Sequence, residues 1–228
     1  MTNAVVRRPE GRASVDALGF DTRTRRLYLT NAVGRLEPTA VAKAIGPKTA
    51  RSLEPYRFLE PPLASVNGWM QTGPGRKPAD LRFVIDGGAF RFSKFNSRDI
   101  DGEIFWRGQT LTLTNIVAEF YGGELRGNLV SRFNDDRSAE LAFHIDTKRT
   151  ELTDLMSDIL GKKSGLKGQL DGSLDITANS KDWGSWNGSS SVTLKDGYLW
   201  ELPLISIFTP VLDRLTPGLG ASTFSEGT

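Results

Sequence analysis

A mainly β chain with a few short helices, an α+β protein, is what this sequence predicts, and three observations predict it. Short runs alternate apolar and polar residues from Leu27 onward, Gly, Asn and Asp bound those runs, and the period becomes helical at only a few places. Alternation puts every second side chain on one face of a strand, so each run offers an apolar face to a core and a polar face to water.

Residues 1–60 read as an N-terminal strand and short-helix segment continuous with the same sheet, and residues 61–228 as the main β region. After the first strand, at Leu27, Pro38 opens a helix that Gly46 and Pro47 stop, and residues 48–53 add another turn before Pro55. The Pro- and Gly-rich stretch 60–80 is a connection with a brief strand through Val66, Gly68 and Met70. A meander follows: Leu81, Phe83 and Ile85; Phe90 and Phe92; Ile100, Gly102, Ile104 and Trp106; Leu111 and Leu113. At Asn115 the apolar phase slips from 111/113 to 116/118/120, which is what the extra residue of a β-bulge does.

Gly122 and Gly123 turn the chain into Leu125, Gly127 and Leu129, and residues 134–138 turn it again into Ala139, Leu141, Phe143 and Ile145. Leu152, Leu155, Met156, Ile159 and Leu160 then fall at helical spacing, predicting an amphipathic helix near 150–160 with Thr147 or Thr150 as cap and Gly161 as stop. Strict alternation resumes from Leu166 through Gly168, Leu170, Gly172, Leu174 and Ile176 to Ala178. Residues 181–190 read as a turn, Val192 and Leu194 as a strand, Lys195 to Gly197 as a turn into Tyr198 and Leu199, and 203–215 as a second amphipathic helix that Pro210 kinks or breaks.

Composition excludes some functions. The 29 basic and 27 acidic residues of the 228 leave a formal charge of +2, so no overall field favours nucleic acid. The cluster Arg23, Arg25 and Arg26 reads as a solvated face, with a phosphate or lipid headgroup as the alternative contact. Cysteine is absent, which removes disulfides, thiolate nucleophiles and cysteine metal sites. The single histidine, His144, sits on the polar phase of a strand with no second histidine to share a metal. Residues 45–50 echo a phosphate loop, but Pro47 interrupts the glycine–lysine pair and Val41 stands where the first glycine belongs. Asp99, Asp101, Asp135 and Asp136 read as turn residues, and the tryptophans as packing residues rather than a base-stacking platform. No catalytic residue, cofactor or metal site is predicted. The absence of an apolar stretch of membrane-span length at the N-terminus reads as either a cytosolic protein or a piece of a longer one, and the small, polar C-terminus favours the second.

The order of elements carries a resemblance. LTLTNIVAEFYGGELRGNLVSRF, an alternating strand, the helix ELTDLMSDILG, then GLKGQLDGSLDITA and WNGSSSVTLKDGYLWELPLISIF resemble, over about residues 60–215, the C-terminal region of AsmA-like proteins. That resemblance implies an elongated, strongly curved antiparallel sheet forming a β-groove with an apolar concave face. It also implies a periplasmic or cell-envelope location in a diderm bacterium, with an inner-membrane anchor in the full-length parent, and a non-enzymatic part in phospholipid transport and outer-membrane assembly. Adjoining β-groove modules or envelope proteins are its implied partners. The chain departs from the family in lacking the membrane helix.

Leu125, Leu129, Leu141, Phe143, Ile145, Leu166, Leu170, Leu174, Ile176, Val192 and Leu194 are the residues this reading expects to line the groove. About ten such side chains left uncovered would forgo roughly 15–30 kcal/mol of burial. That exceeds the ~5–15 kcal/mol by which a domain is ordinarily stable. Something must cover them: an acyl lipid, or the two helices closing an ordinary core in a non-transporting scaffold. A hydrolase built on the aspartates is the remaining alternative, and no pair of them can be placed in one site from sequence.

Overall fold

The computed structural model describes residues 1–9, 11–45, 54, 56–73, 78–136 and 138–196. The expected helix at 203–215, the strand residues Tyr198 and Leu199 and the turn at 48–53 lie outside them. The described chain is mainly β: one thirteen-stranded antiparallel sheet with two short helices.

The strands are β1 (Thr2–Arg8), β2 (Gly11–Asp21), β3 (Arg26–Leu36), β4 (Tyr56–Glu60), β5 (Leu63–Gln71), β6 (Ala79–Asp86), β7 (Ala89–Phe92), β8 (Phe95–Arg107), β9 (Thr110–Phe120), β10 (Gly123–Phe133), β11 (Ala139–Glu151), β12 (Gln169–Asn179) and β13 (Asp182–Lys195). Helix α1 (Pro38–Ile45) follows β3, and α2 (Leu152–Leu160) follows β11. Eleven strands form a path in which each pairs with the next, β1-β2-β3-β5-β6-β8-β9-β10-β11-β12-β13. The short β7 pairs with β8 and β4, where Tyr56, Phe58, Phe90 and Phe92 cluster with ring centroids 4.8–6.3 Å apart. Pairing of β3 with β5 carries the sheet across residue 60.

Several boundaries differ from the sequence reading. β1 and β2 were not anticipated, because their alternation is broken mid-strand: Asn3 takes a positive φ, and Val15 and Ala32 face each other just before Asp16 and Asn31, after which Leu18 pairs with Leu29. The slip falls in β2 and β3 at once, so clean alternation in β2 is confined to the short run Arg12–Asp16 before it. β5 spans nine residues rather than a brief run. Of residues 181–190, read as a turn, Lys181 is in one, but 182–190 belong to β13, since Gly and Ser there pair across to β12 through their backbones. Leu166 and Gly168 precede β12 instead of starting it; the backbone of Leu152 donates to the Gly168 carbonyl at 3.0 Å, so this segment serves the helix.

The bulge expected at Asn115 is present. Three residues of β10, Gly127 to Leu129, face four of β9, Leu113 to Ile116, and Asn115 adopts φ 54°. A second extra residue lies in β11, where Arg149 takes φ 56° and donates its N–H to Asp171 Oδ1 at 2.7 Å. Each insertion resets the phase so that the apolar residues return to the same face.

Since every neighbour in the path is antiparallel, β3 and β11 run the same way, and α1 and α2 follow them at the same end of the sheet. The opposite end carries the connections β2–β3, β8–β9, β10–β11 and β12–β13. Glu37 caps α1, accepting from the N–H groups of Thr39 and Ala40 at 3.0 and 2.7 Å, with Pro38 in the first turn. Glu151 rather than Thr147 or Thr150 is the N-cap of α2, without a side-chain cap bond, and Gly161 ends the helix in the left-handed conformation at φ 65°. Thr150 instead points into the core, hydroxyl to hydroxyl with Thr147 at 2.6 Å.

α2 carries the buried cluster. Leu152, Leu155, Met156 and Ile159 pack with Leu170 and against Phe95, Phe120, Tyr121, Leu166 and Leu194. Asp158 fixes the helix by accepting from the Tyr121 hydroxyl at 2.7 Å and from the Asn96 amide, while Lys94 Nζ donates to the Ile159 carbonyl at 2.6 Å. A cation at the last carbonyls also complements the helix dipole. Burial and the Asp158 charge push the Tyr121 hydroxyl pKa up, so it remains a donor.

Candidate functional site

Cross-strand partners lie on one face of a sheet, so the register decides which predicted residues share a surface. Leu125 faces Thr147, Leu129 faces Phe143, and Ser131 faces Leu141 across β10 and β11. Phe143 faces Ile176, Ile145 faces Leu174, and Thr150 faces Leu170 across β11 and β12. Leu170 faces Leu194, and Gly172 faces Val192, across β12 and β13. Ten of the eleven expected lining residues therefore occupy one face. Leu166 is the exception, lying in the loop before β12 and packing against the α2 cluster.

The same phase continues beyond those ten. Leu129 faces Leu113 and Gly127 faces Ile116; Leu113 faces Ile104, Ile104 faces Phe83, Phe83 faces Val66, and Val66 faces Ala32. Gly102 makes room on this face, since a Cβ there would lie 2.2 Å from Ile116 Cδ1. The extension into β2 and β3, with Val15, Leu18, Phe20, Leu27 and Leu29, was missed from sequence because the paired slip at Asp16 and Asn31 hides it. The available signal was the apolar spacing 13, 15, 18, 20, which is period two with one inserted residue.

Burial along this face is uneven. Of the eleven expected residues Leu170, under α2, is buried; Val192 is 39 % exposed, and the others are partly buried. Among the described residues, the buried apolar side chains away from α2 on this face are few, such as Leu81, Ala79, Ala118 and Ala178. Phe20 is 54 % exposed, and Phe133 too is exposed.

The opposite face carries the charged residues, although Tyr28, Trp69, Val84, Phe105, Val117 and Val130 also lie on it. Arg82 pairs with Glu103, Arg126 with Glu124, and Lys195 with Asp171, at 2.6–2.7 Å. Such exposed pairs contribute little to stability individually. His144 bridges β11 and β12, with Nδ1 2.7 Å from Asp175 Oδ1 and Nε2 2.8 Å from Asp146 Oδ2. An open concavity of about 500 Å³ surrounds it, lined by Asn128, Ala142, Asp175, Thr177 and Ser189 among others. With a carboxylate on each ring nitrogen the imidazolium has no free lone pair, so the arrangement holds strands together rather than accepting a proton from a bound molecule. Across from this cluster on β10 stand Asn128 and Arg126.

The hydrogen bonds to Asp146 and Asp175 raise the His144 pKa above its ordinary value, and the bond from His144, with one from Ser173, lowers that of Asp146. A raised histidine pKa gives stability that is complete below its unfolded value of about 6.5 and is lost as pH rises through the folded value. A lowered Asp146 pKa gives stability present above the unfolded value of about 3.9 and lost as pH falls through the folded one. The clamp therefore acts most strongly between about pH 4 and 6.5. His144→Gln is expected to lower the melting temperature most near pH 5–6, with the difference from wild type shrinking toward pH 9. Thermal denaturation across that pH series checks it, and a difference that grows with pH would refute the clamp.

No helix among the described residues is long and apolar enough to cross a membrane. No family model, no curated protein and no solved structure matches this chain.

Proposed function

We propose that this chain is a lipid-binding module of the AsmA-like kind, its sheet curved into a groove whose apolar face holds phospholipid acyl chains. One observation supports the reading above all: the apolar phase passes by direct pairing through the strands of the path, yet away from α2 most of its large side chains are only partly buried, Leu81, Ala79, Ala118 and Ala178 being the buried ones. An acyl chain laid on such a face contributes ~0.8 kcal/mol per buried CH₂ and requires no directional partner. The ten inter-strand steps of the path, at about 4.8 Å each, give a strip on the order of 50 Å measured along the sheet. The bulges at Asn115 and Arg149 are local bends that would fold the strip toward a trough, and α2 would stop it at one end.

In this account the work is passive: the groove shields acyl chains from water and tolerates differences in their length, as expected of a phospholipid carrier in the envelope. Delipidated protein re-exposed to phospholipid should retain it in native mass spectrometry; repeated failure to retain any acyl lipid would refute the reading.

A second reading rests on the sheet edges. Among the described residues β1 pairs only with β2 and β13 only with β12, so each presents a free backbone edge to an adjoining module or an envelope protein. Crosslinking that captures protein at these edges while the protein retains no lipid would favour a scaffold over a carrier.

A further inference from the structure

The end of the sheet opposite the helices carries an arrangement that acyl-chain binding does not by itself require. In the β2–β3 turn, Arg23 and Arg25 are exposed, and among the described residues neither forms an ion pair. Asp21, the carboxylate of the same turn, is engaged internally, accepting from the N–H groups of Arg23 and Thr24 at 2.9 and 3.3 Å and from the Thr24 hydroxyl at 2.7 Å. Arg26, which closes the turn opposite Asp21, stacks its guanidinium 4.0 Å from the centroid of Trp69. That contact fixes a cation on an aromatic ring at the polar face. Immediately inside the turn, on the apolar face, Phe20 pairs with Leu27 and is 54 % exposed.

We propose that this end docks on an anionic lipid surface, with Arg23 and Arg25 contacting headgroup phosphates and Phe20 entering the boundary between headgroups and acyl chains. The charge is complementary to phosphate, arginine being suited to planar, multidentate contact with it. An aromatic residue beside the cations is what an interfacial site needs, because it gains from partial burial at headgroup depth. Phe20 also begins the apolar phase that continues through Leu27 and Met70, so a chain leaving the surface would meet the groove at its helix-free end. This last step rests on the acyl-binding reading; docking does not.

The test is sedimentation of the purified protein with vesicles of phosphatidylcholine alone and of phosphatidylcholine with phosphatidylglycerol, at low and high salt. Capture should require phosphatidylglycerol and weaken with salt. Arg23→Gln with Arg25→Gln should weaken it roughly thirty-fold, two cations near the surface being removed. Arg126→Gln, at the helix end and paired with Glu124, should leave it unchanged. Equal capture by both vesicle types, or unchanged capture by the double variant, would overturn the proposal. Absence of capture by any vesicle would also overturn it and point to an acidic protein surface. Acyl retention measured separately by native mass spectrometry distinguishes the two readings: the double variant should still load lipid, and vesicle capture without acyl loading would sink the groove and leave docking standing.

Discussion

Leu174→Glu is expected to reduce retained phospholipid at least tenfold while leaving the far-ultraviolet circular dichroism of the protein unchanged. Desolvating a carboxylate against an acyl chain costs a few kcal/mol or more, enough for that loss. Leu174 is chosen because its neighbours permit the change: it is partly buried, and it stands between Ile145 on β11 and Ser190 on β13. A charge there can reach water when the groove is empty and cannot when it is filled. Thr177→Glu, on the exposed polar phase of the same strand, is the control and should retain lipid as the wild type does. Equal retention by both variants would remove the apolar face from the mechanism.

Met156→Ala is expected to lower stability by about 2–5 kcal/mol, because Met156 is fully buried between α2 and the sheet and its loss leaves a cavity. For a chain of this size the melting temperature should fall by roughly 10 °C. Leu129→Ala, which removes a side chain of similar size from the partly covered face, should cost distinctly less, about 1 kcal/mol. Thermal melts of the two variants measure the contrast. Similar losses at both positions would mean that the face around Leu129 is packed as tightly as the α2 cluster, and would favour a closed core.

Much of the face was legible because alternation survives translation into structure wherever a strand has no interruption. Leu141, Phe143 and Ile145 in β11, and Leu170, Leu174 and Ile176 in β12, are read directly from period two, and the single slip at Asn115 could be recognised because clean alternation stands on both sides of it. β2 was not legible for the complementary reason: Asp16 slips opposite Asn31 of β3, so the apolar phase changes partway along both strands. β13 was obscured by composition. Its Gly and Ser residues resemble a turn, and only the backbone ladder to β12 makes them a strand. Leu166 shows the limit of alternation itself, since the periodic pattern began before the strand did and the helix took that residue for its own packing.

The polar face was legible in kind but not in detail. His144 was expected on it; the carboxylates on both of its nitrogens depend on which residue of β12 lies opposite, and register between strands is not written in either strand alone. The arginine turn was similarly visible as charge, whereas its position beside Phe20 and Trp69 follows only from the pairing of β2, β3 and β5.

The groove is tested most directly by loading the protein with a phospholipid that carries a photoactivatable diazirine in its acyl chain, irradiating it, and locating the adducts by mass spectrometry. Adducts on Leu125, Leu129, Phe143, Ile145, Leu174 and Ile176, with none on Asn128, His144 or Asp175, are the predicted result. Adducts confined to the polar phase, or scattered equally over both phases, would contradict it.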